Sequence, residues 1–461
     1  MEQKNNNFLV GMTAFGAIFF IFGFATTFII QLSAPVMAVF NLTEFQAQLL
    51  TSAFFIAYPI MSVPTGWLVN RIGYKHTVVA GLILMALGSL VFIPAARIPS
   101  YPLFLMATFI LATGVVFLQV SANPYVTALG SESSASSRLN LTQALNSIAT
   151  MVAPWLIATV IFKGLDLPID ATDAEKLTYG LEVAGRIPFP FIAMALMVVL
   201  VAVVLLMMKL PAIISEKSEK GGSIYKYPHV LLGAFAIFCY VGAEAGNAGL
   251  MTNYLKSGSL GLSAEMAATY AAIYWGGAMV GRFFGSIMFS DIAGGKKYLY
   301  AVLVLGLAFI SGAFVTDWNW TIGAVFTGAS AVNFVFMLIG KGQPARTLAV
   351  FALVAGMLGL VTTFTQGQVA LWTVVSIGLF NSIMFPNIFA LAVKDLKGGE
   401  LASASGIINA LILGGAVIPP LMGSIADNYG YTYAYVVPAL CYLYIFFYAA
   451  KGSLIRTAST E

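Results

Sequence analysis

The stretch Gln119-Val120-Ser121-Ala122-Asn123-Pro124-Tyr125 sets two amides, a hydroxyl and a proline inside an otherwise apolar run that starts near Tyr101. A second phrase, Phe380-Asn381-Ser382-Ile383-Met384-Phe385-Pro386-Asn387-Ile388-Phe389, repeats the pattern later in the chain. Amides and prolines in hydrocarbon cost free energy, so they persist where they face protein, water or a solute. One such phrase in each half points to a duplicated carrier with its solute site at the repeat interface.

The surroundings of both phrases are apolar. Of the 461 residues, 60% are apolar and 9% charged, whereas roughly a quarter of residues are charged in soluble domains. Runs of roughly 20 apolar residues, long enough to cross the hydrocarbon core, recur from Phe8 to Ala450. Spans are expected near 8–33, 43–70, 76–97, 101–130, 138–163, 187–209, 228–256 and 263–290. Six more follow near 298–316, 319–340, 346–366, 370–394, 402–426 and 431–450, giving fourteen helices of an all-α polytopic membrane protein.

Basic residues sort by side. Arg71, Lys75, Arg138, Lys209, Lys217, Lys220, Lys226, Lys296, Lys297, Lys341, Arg346, Lys394, Lys397, Lys451 and Arg456 fall on one side, against Arg97, Lys163, Lys176, Arg186 and Lys256 on the other. By the positive-inside rule both termini are cytoplasmic, in the plasma (inner) membrane of a bacterium. The net charge of +4 does not indicate nucleic acid, because the basic residues lie at loop edges. Cys239 and Cys441 sit in apolar runs and read as small buried residues, with no disulfide framework. Met1 to Asn7 leads into a retained first helix rather than a cleaved signal peptide.

The organisation expected is a six-helix bundle over 1–210, a charged cytoplasmic linker over 211–227 and a second bundle over 228–461. The segment 164–185, with Asp166, Asp170, Asp173, Glu175 and Glu182, reads as a solvated external loop. Twelve helices do not account for the chain between Lys297 and Arg346. Two apolar runs there are joined by Thr316-Asp317-Trp318-Asn319-Trp320, whose Trp pair suits a membrane interface. This inserted hairpin, 298–340, enters and leaves on the cytoplasmic side and reads as a peripheral structural element.

Particular residues carry a resemblance. Gln119 to Gly130, running on through Arg138-Leu-Asn-Leu-Thr-Gln-Ala-Leu-Asn-Ser147, is similar to the fourth and fifth helices of the fucose–proton symporter family, within the major facilitator superfamily. Cys239 to Ala245, Val280 to Phe283, Ser382 to Phe389 and Gly414 to Gly423 resemble that family's seventh, eighth, tenth and eleventh helices. The resemblance covers both halves and leaves out the hairpin. It implies two six-helix bundles and uptake of a hexose or related sugar by alternating access, usually driven by a cation gradient. The loop Gly66 to Lys75 resembles the superfamily's gating loop, with Asn70 in place of the usual acid beside Arg71. The family's proton-coupling members also carry an acid where this chain has Gln119, and an Asp near Ile30 or Gln31. Neither acid is present, and a glutamine cannot take up and release a proton. Na+ and H+ are both candidate coupling ions, and uncoupled uniport is an alternative.

Read as chemistry, the spans offer what a sugar needs. Amides supply donor and acceptor from one group. Gln119 and Asn123 share a face at i and i+4, as do Thr27 and Gln31, while Gln143 and Asn146 lie at i and i+3. By the resemblance, Gln143 and Asn146 match amides that line the family's sugar cavity. Tyr270 and Tyr274 share a face suited to stacking on a sugar ring, and Asn381 and Asn387 flank Pro386. The competing reading is that such amides join helices, at about 0.6 kcal/mol per bond. Tyr240, Glu244 and Asn247 form one polar stripe at i, i+4 and i+7. Glu244 is the acid expected deep in a span, as sugar acceptor, cation ligand, proton carrier or structural acid. Arg282 is expected to anchor an interhelix gate at a cytoplasmic helix end.

Other classes fit less well. The two histidines, His76 and His229, lie near cytoplasmic ends, and no metal-ligand spacing, nucleophile motif or phosphate-binding loop is present, so no enzyme, metal site or cofactor is expected. The fifth span reads Ala149-Thr-Met-Val-Ala-Pro-Trp155 and lacks the Gly-rich pattern of drug antiporters. A non-transporting sugar sensor remains an alternative. The partners expected are a small-molecule sugar and the lipid bilayer, for a monomeric protein.

Overall fold

The computed structural model describes residues 2–128, 135–168, 171–208, 226–257, 260–290, 294–396 and 398–454. Most of the linker expected over 211–227 therefore lies outside the described residues, as do Lys209, Lys217, Lys220, Lys397 and Arg456. Described residues form helices throughout, and the chain divides into two compact units, Met1–Lys217 and Ser218–Glu461.

In the first unit, α1 (Glu2–Gln31) leads through α2 (Ser33–Phe40) to α3 (Glu44–Phe55) and α4 (Ala57–Arg97). The α3 start is specified locally: Thr43 and Gln46 form a reciprocal capping box that satisfies two helix-end donors. The 41-residue α4 contains two spans joined at Gly73, whose φ of 79° is a left-handed geometry that favours glycine. Just past this kink, Lys75 Nζ donates to the carbonyls of Leu206 and Met208 at 2.9 and 2.8 Å. It thereby satisfies orphan carbonyls at a helix C-terminus.

Next come α5 (Tyr101–Ala128), α6 (Ala135–Leu156), α7 (Asp173–Arg186) and α8 (Pro188–Met207). The α4 helix packs on α5 and α8, and α1 packs on α6. The segment expected as a loop over 164–185 contains α7 instead. Thr172 and Glu175 form its capping box, and Tyr179, Gly180, Val183 and Ala184 turn a buried face inward. That helix is amphipathic rather than membrane-spanning, so a search for apolar runs passes over it.

The second unit holds α9 (Pro228–Lys256), α10 (Ala264–Met288), α11 (Gly294–Val315), α12 (Trp320–Ile339) and α13 (Pro344–Phe364). It continues with α14 (Gly367–Asn381), α15 (Met384–Ala392), α16 (Gly398–Ala410), α17 (Gly414–Tyr429), α18 (Tyr431–Ala434) and α19 (Val436–Phe447). Here α9 packs on α17 and α19, and α10 on α14. The α10–α14 approach is close. A methyl group built on Gly378 would overlap the Tyr274 carbonyl, and one on Gly281 would overlap Ser382 Oγ.

The inserted hairpin is α11 and α12, paired with each other and packed on α10. Its tip turns through Asp317 and Trp318 at φ 51° and 62°, and Asn319 caps α12 by accepting from the Ile322 N–H at 3.2 Å. Inside the hairpin, the buried Asn333 Nδ2 donates to the Leu379 carbonyl of α14 at 3.1 Å.

Overpacking a tight core contact costs about 1–3 kcal/mol. Gly378→Val should therefore lower the Tm of the detergent-solubilised protein by several degrees, read by a fluorescence thermal melt. Gly306→Val, where an added Cβ meets nothing within 4 Å, should leave it unchanged.

Candidate functional site

The polar stripe of α9 anchors a connected network inside the second unit. The Tyr240 hydroxyl donates to Glu244 Oε1 at 2.7 Å. Arg282 of α10 sets a guanidinium nitrogen 3.8 Å from the same oxygen, with the two side chains 22% and 15% exposed. The position of Arg282 follows from a proline. Pro386 has no N–H to offer residue 382, four positions back, and α14 ends at Asn381 before α15 begins at Met384. Arg282 Nε donates to the freed Ser382 carbonyl at 3.4 Å.

Above this pair, Asn247 Nδ2 donates to the Tyr442 hydroxyl at 2.9 Å, and Tyr442 donates to Asn381 Oδ1 at 2.7 Å. Asn381 Nδ2 donates to the Tyr274 hydroxyl at 2.7 Å, and Tyr274 donates to the Glu244 carbonyl at 3.3 Å. Asn247, Tyr274, Asn381 and Tyr442 are fully buried. Four helices, α9, α10, α14 and α19, thus meet through side-chain groups.

Sequence reasoning singled out Tyr240, Glu244, Asn247, Tyr274, Asn381 and Arg282, and these six come together. It passed over Tyr442 and Ser382. Nothing local distinguishes Tyr442 from its neighbours Tyr444 and Tyr448. The Ser382 carbonyl was readable from its spacing to Pro386. Arg282 sits against Glu244 rather than at a helix end, since six residues of α10, Phe283 to Met288, lie beyond it. Tyr270 is apart from the network, edge-on to Trp372 with centroids 5.8 Å apart. Asn387 is also apart, donating to the Pro344 carbonyl of α13 at 3.4 Å.

In the first unit the buried amides and hydroxyls divide into two kinds. Gln119 Oε1, Asn123 Oδ1, Thr27 Oγ1 and Ser121 Oγ are buried without a hydrogen-bond partner among the described residues. Gln31 is buried at the end of α1. Asn146 instead donates to the Phe19 carbonyl of α1 at 3.0 Å, against Gly23, where a Cβ would overlap the amide. Gln143 is half-buried, and its carbonyl accepts from Ser147 Oγ at 2.8 Å. Asn70 and Arg71 are exposed, with Arg71 over the Trp67 ring 5.1 Å from its centroid. Glu44, which sequence reasoning did not select, is buried in the first turn of α3 and accepts from Gln48 Nε2 at 2.7 Å. No group of three or more His, Cys, Asp or Glu placed to hold a metal occurs among the described residues.

A bundle of apolar helices broken at prolines, with amides and one ion pair facing inward, is the build of a secondary transporter. The Major Facilitator Superfamily model matches residues 13–342. The chain is 39% identical to the glucose/galactose transporter of Brucella abortus, over 98% of this chain and 96% of that one. It is 30% identical to the L-fucose-proton symporter of Escherichia coli, over 98% and 95%. A crystal structure of the E. coli fucose:proton symporter superposes with a TM-score of 0.66 at 28% identity, covering 97% of this chain and all of that one. This protein belongs to the fucose–proton symporter family of the major facilitator superfamily, with an inserted transmembrane hairpin, and is a multi-pass membrane protein.

Asn146→Ala removes an interhelical bond and should destabilise the protein by roughly 0.6–1.7 kcal/mol, read as a lower Tm in detergent. Gln143→Ala, whose side chain makes no hydrogen bond to a described residue, should leave Tm within error.

Proposed function

We propose that this protein is a carrier of a hexose of the glucose or galactose class, moving it by alternating access across a bacterial plasma membrane. It works as a monomer with both termini cytoplasmic, and it is not an enzyme. The observation that carries this reading is the 39% identity to a glucose/galactose transporter over nearly the whole of both chains. The chemistry agrees with it. Gln119, Asn123 and Gln143 in the first unit, and Glu244, Asn247 and Asn381 in the second, offer the paired donors and acceptors that sugar hydroxyls need. Gln31, Asn146, Tyr270, Tyr274 and Asn387 complete the residue set, with Asn146 also holding α1. Asn70 and Arg71 serve the cytoplasmic gating loop.

The coupling differs from that of a proton symporter with an acid in its fourth helix. Gln119 occupies that place and takes no proton. Glu244 is the coupling residue, held between Tyr240 and Arg282. A charged residue at a helix centre costs roughly 2.5–3.5 kcal/mol, and an acid and a base placed together offset part of that cost.

Purified protein in proteoliposomes should accumulate glucose or galactose, tested in a hexose panel under separate sodium and proton gradients. Sugar addition should leave the external pH unchanged; sugar-dependent alkalinisation would overturn the role given to Gln119. Glu244→Gln should cut gradient-driven accumulation by at least roughly tenfold, equivalent to about 1.4 kcal/mol. Full accumulation in that variant would remove Glu244 from coupling.

A further inference from the structure

Four hydrogen bonds of the second unit run in one sense from α9 through α19, α14 and α10 and back to α9. Asn247 donates to Tyr442, Tyr442 to Asn381, Asn381 to Tyr274 and Tyr274 to the Glu244 carbonyl. The path leaves α9 at Asn247, visits α19, α14 and α10, and returns to α9 one turn earlier. Hydrogen bonds aligned in this way polarise one another. Each phenol proton is committed to a neighbour, and each amide is fixed in orientation by the partner of its nitrogen.

One acceptor is left over. Asn247 Oδ1 is buried and has no partner among the described residues, with its Nδ2 turned to Tyr442. A buried acceptor without a donor is costly, so it gains more than an exposed one from a hydroxyl brought to it. Only one member of the path that joins two amides could be replaced without removing an amide or touching the α10 face, and that member is Tyr442. Its side chain is fully buried, and its hydroxyl accepts from Asn247 while donating to Asn381.

We propose that Tyr442 is a positioning residue of the sugar site: by bridging Asn247 and Asn381 it fixes the Asn247 amide so that Oδ1 is offered as acceptor to a sugar hydroxyl. This rests on the reading of the protein as a hexose carrier. Tyr442 does not touch the solute. It acts through the Asn247 amide, which its removal leaves free to turn, while Asn381 stays held by Tyr274.

Tyr442→Phe keeps the ring and deletes only the bridging hydroxyl. In proteoliposomes the sugar concentration at half-maximal uptake should rise roughly tenfold, with the maximal rate per folded protein nearly unchanged. A purely structural residue would instead lower yield, Tm or maximal rate at an unchanged half-saturation. Because Tyr442 works through Asn247, the double variant Tyr442→Phe/Asn247→Ala should be no worse than Asn247→Ala alone. An unchanged half-saturation in Tyr442→Phe, or effects that multiply in the double variant, would overturn the assignment. If Tyr442→Phe yields no folded carrier, Tyr442→Met, which also lacks the bridging hydroxyl, must give the same rise. Wild-type protein that moves no hexose would refute the carrier reading; wild-type uptake with an indifferent Tyr442→Phe refutes only the role of Tyr442.

Discussion

Hydrocarbon offers no hydrogen bonds, so each polar group placed at membrane depth must be satisfied by the protein or by what the protein carries. Much of the second unit follows from that constraint acting on Pro386. The proline removes the donor that the Ser382 carbonyl would otherwise have, and Arg282 supplies a replacement. Bringing a guanidinium there places it beside Glu244, which Tyr240 also engages. The geometry requires α10 and α14 to touch, and the missing Cβ atoms of Gly281 and Gly378 are what permit the approach. Proline, glycine, arginine and glutamate are thus four parts of one solution.

The same constraint explains what the sequence disclosed and what it withheld. Spans were legible because their length and apolarity are set by the bilayer, and the break at Gly73 falls between two of them. Polar residues in spans were legible as candidates because they are rare there, which is how Glu244, Asn247 and Asn381 were found. Their partners were not legible. Spacing along one helix gives a shared face but says nothing of which helix meets it, so Asn381 and Asn387 appeared equivalent although one joins the network and the other reaches Pro344. Tyr442 was invisible because tyrosines are common in the last span and only tertiary contact separates one from another. The helix α7 was missed for the opposite reason: it is polar on one side, and its signal is a capping box rather than an apolar run.

The two units satisfy their amides differently. In the first, oxygens of Gln119, Asn123 and Thr27 are buried without a hydrogen-bond partner among the described residues, while Asn146 holds α6 to α1. In the second, Asn247, Tyr442, Asn381 and Tyr274 join in one chain of bonds, while Asn247 Oδ1, Asn333 Oδ1 and the Tyr448 hydroxyl stay buried without a partner among the described residues. The inserted hairpin adds a further bond, since Asn333 donates to the Leu379 carbonyl three residues before the freed Ser382 carbonyl. Its buried polar face therefore bears on the break between α14 and α15, even though much of its remaining surface is apolar and exposed.

Arg282 links charge to backbone geometry at that break. Its terminal nitrogen lies 3.8 Å from Glu244, longer than the usual 2.7–2.9 Å of a charge-assisted hydrogen bond, while its Nε holds the Ser382 carbonyl. A ligand that engages the Glu244 carboxylate competes with this guanidinium. Displacing it weakens the side-chain donor that serves a carbonyl Pro386 cannot. Occupancy of Glu244 and the shape of the α14–α15 segment are consequently two readings of the position of one side chain.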